Sequence, residues 1–98
     1  MIRSFRDPGS RDVFHDTRSK AASKVCPSAL WGVAQRKLDQ LNQAEELTDL
    51  RAPPGNRLEA LSRDRAGQHS IRINDQYRIC FRWTDAGPQD VEIVDYHR

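Results

Sequence analysis

Cysteine is scarce in this sequence, which contains only Cys26 and Cys80 among 98 residues. Two cysteines this far apart are too few for a zinc cluster, and nothing in the sequence points to the oxidising compartment in which disulfides form. We therefore predict two free thiols. Long apolar runs are also missing, since none approaches the ~20 residues of a membrane span or follows the basic start as a signal peptide would. We expect a cytoplasmic protein without membrane contact.

Metal and nucleotide motifs are absent as well. The three histidines, His15, His69 and His97, are scattered, and no two have the helical spacing of a zinc motif. The five glycines form no phosphate-binding loop. The length suits a single domain covering residues 1–98, with no room for a separate cofactor-binding unit. We expect this domain to use neither a metal nor a cofactor.

The net charge of +2 conceals a cluster of arginines in the second half of the chain. Residues 56–82 hold six basic residues against three acidic ones, and every base is arginine. These are Arg57, Arg63, Arg65, Arg72, Arg78 and Arg82. Arginine pairs with phosphate through a planar fork and stacks on bases, whereas lysine is a point charge. The cluster suits a nucleic-acid ligand, but on charge alone a solvated sheet surface explains it equally well.

The first half of the sequence is predicted to be mainly helical, after a short edge strand at residues 2–5. Residues 10–24 are polar and fit a short helix with a loose connection. Ser28 can cap the clearest helix, whose apolar residues recur every three to four positions on one face. That face carries Leu30, Trp31, Ala34, Leu38 and Leu41, and the opposite polar face includes Lys37. A second helical piece at residues 44–50 ends before residues 53–55, Pro-Pro-Gly, which cannot continue a helix.

The second half changes to an alternating pattern that predicts strands. They cover residues 57–61, 69–73, 77–83 and 91–94, with turn sequences at 74–76 and 85–88. In the third strand Tyr77, Ile79, Phe81 and Trp83 share the core face, and the other face presents Arg78, Cys80 and Arg82. The sequence therefore predicts an α+β domain in which N-terminal helices pack on one face of a mainly antiparallel sheet.

A candidate for proton transfer lies at the end of the chain. His97 follows Asp95 and Tyr96, and an unperturbed histidine has a pKa of ~6.5, which suits acid–base catalysis near neutrality. On position alone, an inert exposed histidine is the simpler interpretation. Together with the arginines, however, the group resembles what phosphodiester cleavage requires. RNA supplies its own 2′-hydroxyl as nucleophile, so no metal is needed.

Several segments of the sequence resemble the HigB-type toxins of the RelE superfamily. They are residues 54–61, residues 64–83, Val91-Glu92-Ile93-Val94-Asp95-Tyr96-His97 and the opening residues 1–5. The resemblance implies a toxin that enters the A site of the 70S ribosome and cuts messenger RNA there. It also implies a HigA-type helix-turn-helix antitoxin, a heterotetramer of two toxins and two antitoxins, and contact with operator DNA only through the antitoxin.

The same resemblance implies roles for individual residues. His97 would be the general acid or base, with Asp95 orienting it or replacing it as base. Arg78 would hold the scissile phosphate, and Tyr96 would stack on a base or steer the 2′-hydroxyl. The remaining arginines of the cluster, Arg57, Arg63, Arg65, Arg72 and Arg82, would bind RNA.

The chain departs from the family pattern at two positions. Some relatives carry histidine at the position of Glu59 and lysine near Ser62. Glu59 can still serve as a base, but we expect attenuated cleavage. The alternative is a toxin without catalysis that blocks translation, or that acts mainly as a co-repressor through its antitoxin.

Overall fold

The computed structural model describes residues 1–96. Its α-helices are α1 (Pro8–Phe14), α2 (Lys20–Val25) and α3 (Trp31–Gln43). Its strands are β1 (Glu59–Ala60), β2 (His69–Arg72), β3 (Tyr77–Thr84) and β4 (Gly87–Asp95). Short 3-10 helices occupy Ser28–Leu30, Leu47–Arg51 and Arg63–Arg65. The strands form an antiparallel sheet in the order β1-β2-β3-β4, which confirms the predicted α+β class.

Residues 8–14 and 20–25 form two capped helices, so the predicted short helix is present but a second helix replaces part of the predicted loose connection. Asp7 caps α1, because its carboxylate accepts from the Ser10 amide at 2.6 Å. Ser19 caps α2 by accepting from the Ala22 amide at 3.0 Å, and its hydroxyl donates to Asp12 at 2.6 Å. These polar side chains satisfy helix ends, and this is why a sequence with few apolar residues folds into helices.

Helix α3 buries the predicted apolar face, including Trp31, Ala34, Leu38 and Leu41. Two details differ from prediction. Ser28 begins a 3-10 turn before the helix and forms no capping hydrogen bond, and Lys37 is buried instead of facing water. The helix predicted at residues 44–50 is a 3-10 helix at Leu47–Arg51.

The sheet differs from prediction mainly at its two edges. The predicted edge strand at residues 2–5 is present only as a parallel bridge between Phe5 and Val91. Strand β1 has two residues, because Arg57 adopts a φ of 45°, which is incompatible with extended backbone. The tight hairpin is confirmed, with Thr84 paired to Gly87, but β4 begins there, earlier than residue 91.

One face of the sheet packs on the helices, and the other, which we call the open face, carries the polar side chains. Ile71, Ile79, Phe81 and Val91 are fully buried in the core. On the open face, Arg78 and Cys80 are also buried, so the prediction that they are presented to solvent is wrong; Arg82 is exposed. Both cysteines are free, as predicted. Within residues 1–96 no helix is long and apolar enough to cross a membrane.

Candidate active site

A polar cleft of about 370 Å³ lies on the open face of the sheet, between β1 and the end of β4. It is lined by Arg57, Glu59, Arg72, Asn74, Asp75, Arg78 and Tyr96. We call it the Arg78 cleft. Five of the ten residues predicted for catalysis or RNA binding thus meet at one site, although Arg57 and Tyr96 are 39 positions apart along the chain.

Arg78 is the most constrained side chain of the cleft. It is only 6% exposed, and its Nε donates to the Ser70 hydroxyl at 2.6 Å. One terminal nitrogen donates to the Arg57 carbonyl at 2.7 Å and to the Ser70 carbonyl at 3.4 Å. These acceptors fix the plane of the guanidinium, and a fixed cation can meet charge that develops on a phosphate.

Glu59 lies beside this guanidinium. Its partner across the β1–β2 pair is Ser70, which places both side chains on the open face together with Arg78. The Glu59 carboxylate is 3.8 Å from Arg78 and its side chain is 36% exposed. A partly exposed carboxylate next to a phosphate-binding cation can accept a proton from a bound substrate.

Arg57, Arg72 and Tyr96 form the rim. Arg57 is exposed, whereas Arg72 donates to Asp75 at 2.5 Å. That hydrogen bond lowers the pKa of the Asp75 carboxyl below its usual value. Tyr96 is half-buried, and its amide donates to the Gln76 carbonyl at 2.7 Å, which fixes the end of β4 beside the cleft.

The remaining predicted residues lie elsewhere. Asp95 pairs with Tyr77 on the face opposite Arg78 and accepts from Gln76 at 3.1 Å. Arg65 donates to Glu92 at 2.6 Å, Arg63 is exposed in its 3-10 turn, and Arg82 lies 3.8 Å from Asp90. The prediction for His97 falls outside the described residues. The catalytic and RNA-binding roles of all these side chains remain predictions.

Sequence reasoning missed a buried network that supports the cleft. The Lys37 ammonium donates to the Asn56 side chain, and Asn56 donates to the Leu50 carbonyl at 3.1 Å. The Asn56 carbonyl in turn accepts from the Arg72 amide at 2.6 Å. Burial lowers the pKa of the Lys37 ammonium. The network fixes the loop whose next residue, Arg57, supplies a carbonyl to Arg78.

Cys80 lies under the open face next to this site. It is fully buried, and burial raises its pKa from about 9.0 to about 11. A thiol with this pKa stays protonated at neutral pH and is a poor nucleophile. Within residues 1–96 no three His, Cys, Asp or Glu side chains are grouped as metal ligands would be.

Comparison with known proteins identifies the family. Residues 3–97 match the family of HigB-like toxins, described as the RelE-like toxin of the type II toxin-antitoxin system HigB. The chain is 38% identical to Toxin HigB-1 of Vibrio cholerae over 85 residues, 87% of this chain and 86% of that protein. It is 41% identical to an uncharacterised Haemophilus influenzae protein over 70 residues, 71% of this chain and 64% of that protein.

The fold agrees with these matches. A YoeB-YefM complex from Staphylococcus aureus contains a chain that superposes with a TM-score of 0.60 at 14% identity, covering 100% of this chain and 99% of that one. The protein is thus a RelE-like toxin. Within that class the chain belongs to the HigB family, as the resemblance predicted, and is the toxin of a type II toxin-antitoxin system with an antitoxin partner.

Proposed function

We propose that this toxin is an endoribonuclease that cuts messenger RNA in the A site of the 70S ribosome. The observation that carries the proposal is the fixed, buried guanidinium of Arg78, 3.8 Å from the partly exposed Glu59 carboxylate, in an open polar cleft. Toxins of the RelE family are generally endoribonucleases, and this cleft offers the groups that such a reaction needs.

The reaction is a displacement within the RNA that needs no metal. A base removes the proton of the 2′-hydroxyl, and that oxygen attacks the adjacent phosphorus. The bond from phosphorus to the 5′-oxygen breaks, and the departing oxygen takes a proton from a general acid. The products are a 2′,3′-cyclic phosphate and a 5′-hydroxyl. Arg78 donates to the phosphate oxygens on which charge increases in the transition state.

We assign the proton transfers to Glu59 and His97. Glu59 lies beside Arg78 and serves as the base. His97 serves as the acid. Asp95 orients His97 or replaces it, and Tyr96 stacks on a base or steers the 2′-hydroxyl. A test of the base is Glu59→Gln, which should lower cleavage by ~10²–10⁴. A variant that cuts at the rate of the unchanged toxin would remove Glu59 from this role.

The ribosome is proposed to supply most of the RNA positioning. The net charge of the chain is only +2, and of the arginine cluster only Arg57, Arg72 and Arg78 line the cleft. Arg63, Arg65 and Arg82 would add charge around it. This function would place the protein in the cytoplasm, and we propose that residues 1–98 act as one domain.

The decisive experiment compares messenger RNA on translating ribosomes with the same RNA free in solution. Purified toxin should produce new 5′ ends, mapped by primer extension, only on the ribosome-bound RNA. Equal cutting of both substrates would overturn ribosome dependence. Inhibited translation with no new 5′ ends would overturn the enzyme and favour a toxin that blocks by binding alone.

That second candidate has one observation in its favour. The Glu59 carboxylate partly neutralises the Arg78 guanidinium at 3.8 Å, which weakens its attraction for a phosphate. A cleft of this kind could hold a polyanion without cleaving it. The toxin would then block translation or act as a co-repressor.

We further propose that the antitoxin is a HigA-type helix-turn-helix protein that assembles two toxins with two antitoxins. Operator DNA would be contacted only through the antitoxin, since helix-turn-helix dimers read paired half-sites. The mass of the purified complex tests the stoichiometry. A complex of one toxin with one antitoxin would overturn it.

A further inference from the structure

A second basic cavity lies at the N-terminal edge of the sheet, outside the arginine cluster of residues 56–82. It has a volume of about 370 Å³, and its lining includes Arg3, Arg6 and Arg11. All three arginines are exposed, and the half-buried Phe5 lies between them. We call it the N-terminal arginine cavity.

The arginines of this cavity are only weakly neutralised. Arg6 lies 3.8 Å from Glu92, and Arg11 lies 3.8 Å from Asp12. Among residues 1–96 no carboxylate is within ion-pair distance of Arg3. The cavity also contains Asp7, but that carboxylate caps α1, accepting from the Ser10 amide at 2.6 Å and from its hydroxyl at 3.0 Å. The balance of charge in the cavity is therefore positive.

The cavity lies beside β4, two strand spacings from the strand that carries Arg78. Phe5 bridges to Val91 of β4, and β4 pairs with β3, which carries Arg78. Neighbouring strands lie about 4.8 Å apart, so roughly 10 Å of sheet separates the N-terminal segment from β3. The Arg6 side chain extends towards β3, because its Nε lies 3.8 Å from the Glu92 carboxylate on the open face.

A fourth arginine, Arg65, reaches the same part of the open face. Arg65 binds the same Glu92 carboxylate at 2.6 Å, and Glu92 pairs with Cys80 in β3, two residues from Arg78. Arg6, Arg65 and Arg78 thus form a short row across β4 and β3. Such a row fits the repeated phosphates of one extended strand, and arginine binds phosphate in a bidentate manner.

We propose that the N-terminal arginine cavity is a second phosphate-binding site, which holds the RNA strand a few nucleotides away from the phosphate at Arg78. The proposal rests on the proposed function, because it takes the strand bound in the cleft as its ligand. RNA is favoured over an acidic protein segment because Arg6 and Arg65 meet at Glu92 between the two sites.

The test uses 2′-O-methyl RNA, which binds but cannot be cut through its blocked 2′-oxygen. Affinities for a 4-mer and an 8-mer are measured at low salt by amide NMR titration of the isotope-labelled toxin. Because only the longer strand can engage both sites, the toxin should bind the 8-mer about tenfold more tightly or better. The double variant Arg3→Gln/Arg11→Gln should lose this gain. For the 8-mer, the slope of the logarithm of the binding constant against the logarithm of salt concentration should become shallower by about 1.4 in this variant. This is about 0.7 for each of two lost phosphate contacts.

The matched control is Lys20→Gln/Lys24→Gln, which removes the same charge from exposed positions in α2 outside the cavity. This variant should keep the preference for the 8-mer. If both double variants lost the 8-mer preference equally, the loss would be a general effect of charge and the proposal would be overturned. An unchanged 8-mer affinity in Arg3→Gln/Arg11→Gln, or a loss confined to antitoxin binding, would also overturn it. Melting temperatures of both variants check that they fold.

Failure of the proposed function gives a different result. If Arg78→Gln binds both oligonucleotides as the unchanged toxin does, the cleft does not bind RNA, whatever the cavity does. Suppose Arg78→Gln binds both oligonucleotides normally and Arg3→Gln/Arg11→Gln loses the 8-mer preference. The cavity would then bind a polyanion, but the proposed link between the cavity and the cleft would be overturned.

Discussion

The guanidinium of Arg78 donates to the backbone carbonyl of Arg57 at 2.7 Å, so a strand side chain depends on a loop for its position. That loop is held in an unusual shape, since Arg57 has a φ of 45°. In this conformation the carbonyl of Arg57 accepts from the Arg78 side chain on the sheet. The geometry of the cleft is therefore set by long-range contacts as much as by the strand.

The planar shape of Arg78 should matter more than its charge. In Arg78→Lys, one ammonium cannot reproduce the contacts to Ser70 and Arg57 and still face a phosphate. We expect cleavage on ribosomes to fall by ~10² or more. Arg36→Lys, on the exposed side of α3, is the matched control and should cut normally. Normal cutting by a folded Arg78→Lys toxin would contradict the assignment.

The buried network under the loop should make a large contribution to stability. Asn56→Ala leaves the buried Lys37 ammonium without its side-chain acceptor and the Leu50 carbonyl without a donor. We expect a loss of ~2–4 kcal/mol in the free energy of unfolding, measured with urea. Adding Lys37→Met should recover part of it, because the buried charge that has lost its side-chain acceptor is then gone. Fully additive losses would show that the two side chains are not coupled.

Local patterns predicted much of the fold. The apolar spacing of α3 and the turn sequences at residues 74–76 and 85–88 act over a few residues, and the structure contains all three. The burial of Lys37 could not be predicted in this way, because its partner Asn56 is 19 positions away and meets it only in the folded chain. The same holds for Arg78, whose alternation with core residues indicated exposure but whose acceptors lie on β2 and the preceding loop.

Two glycines should respond in opposite directions to the same substitution. A Cβ at Gly9 would lie 2.4 Å from the Ala21 carbonyl oxygen, so Gly9→Ala must separate α1 from α2. We expect a loss of ~1–3 kcal/mol in stability. Gly32 is in α3 and has no atom within 4 Å of such a Cβ, so Gly32→Ala should stabilise the toxin by ~0.5–1 kcal/mol. Urea unfolding measures both, and a stabilised Gly9→Ala variant would disprove the close packing of these helices.

The buried thiol of Cys80 should make stability depend on pH in the alkaline range. Its pKa is about 11 in the folded chain and about 9.0 when exposed. Above pH 9 the unfolded chain releases a proton that the folded chain keeps, which favours unfolding. The thiol's contribution to stability is therefore complete below about pH 9 and is lost as the pH rises towards 11.

Urea midpoints between pH 8 and 11 should fall more steeply for the unchanged toxin than for Cys80→Ala. Other groups that titrate in this range, Lys37 and Cys26 among them, are present in both proteins and affect both curves equally. If the urea midpoints of the two proteins fell in parallel, Cys80 would ionise as readily in the folded chain as in the unfolded one.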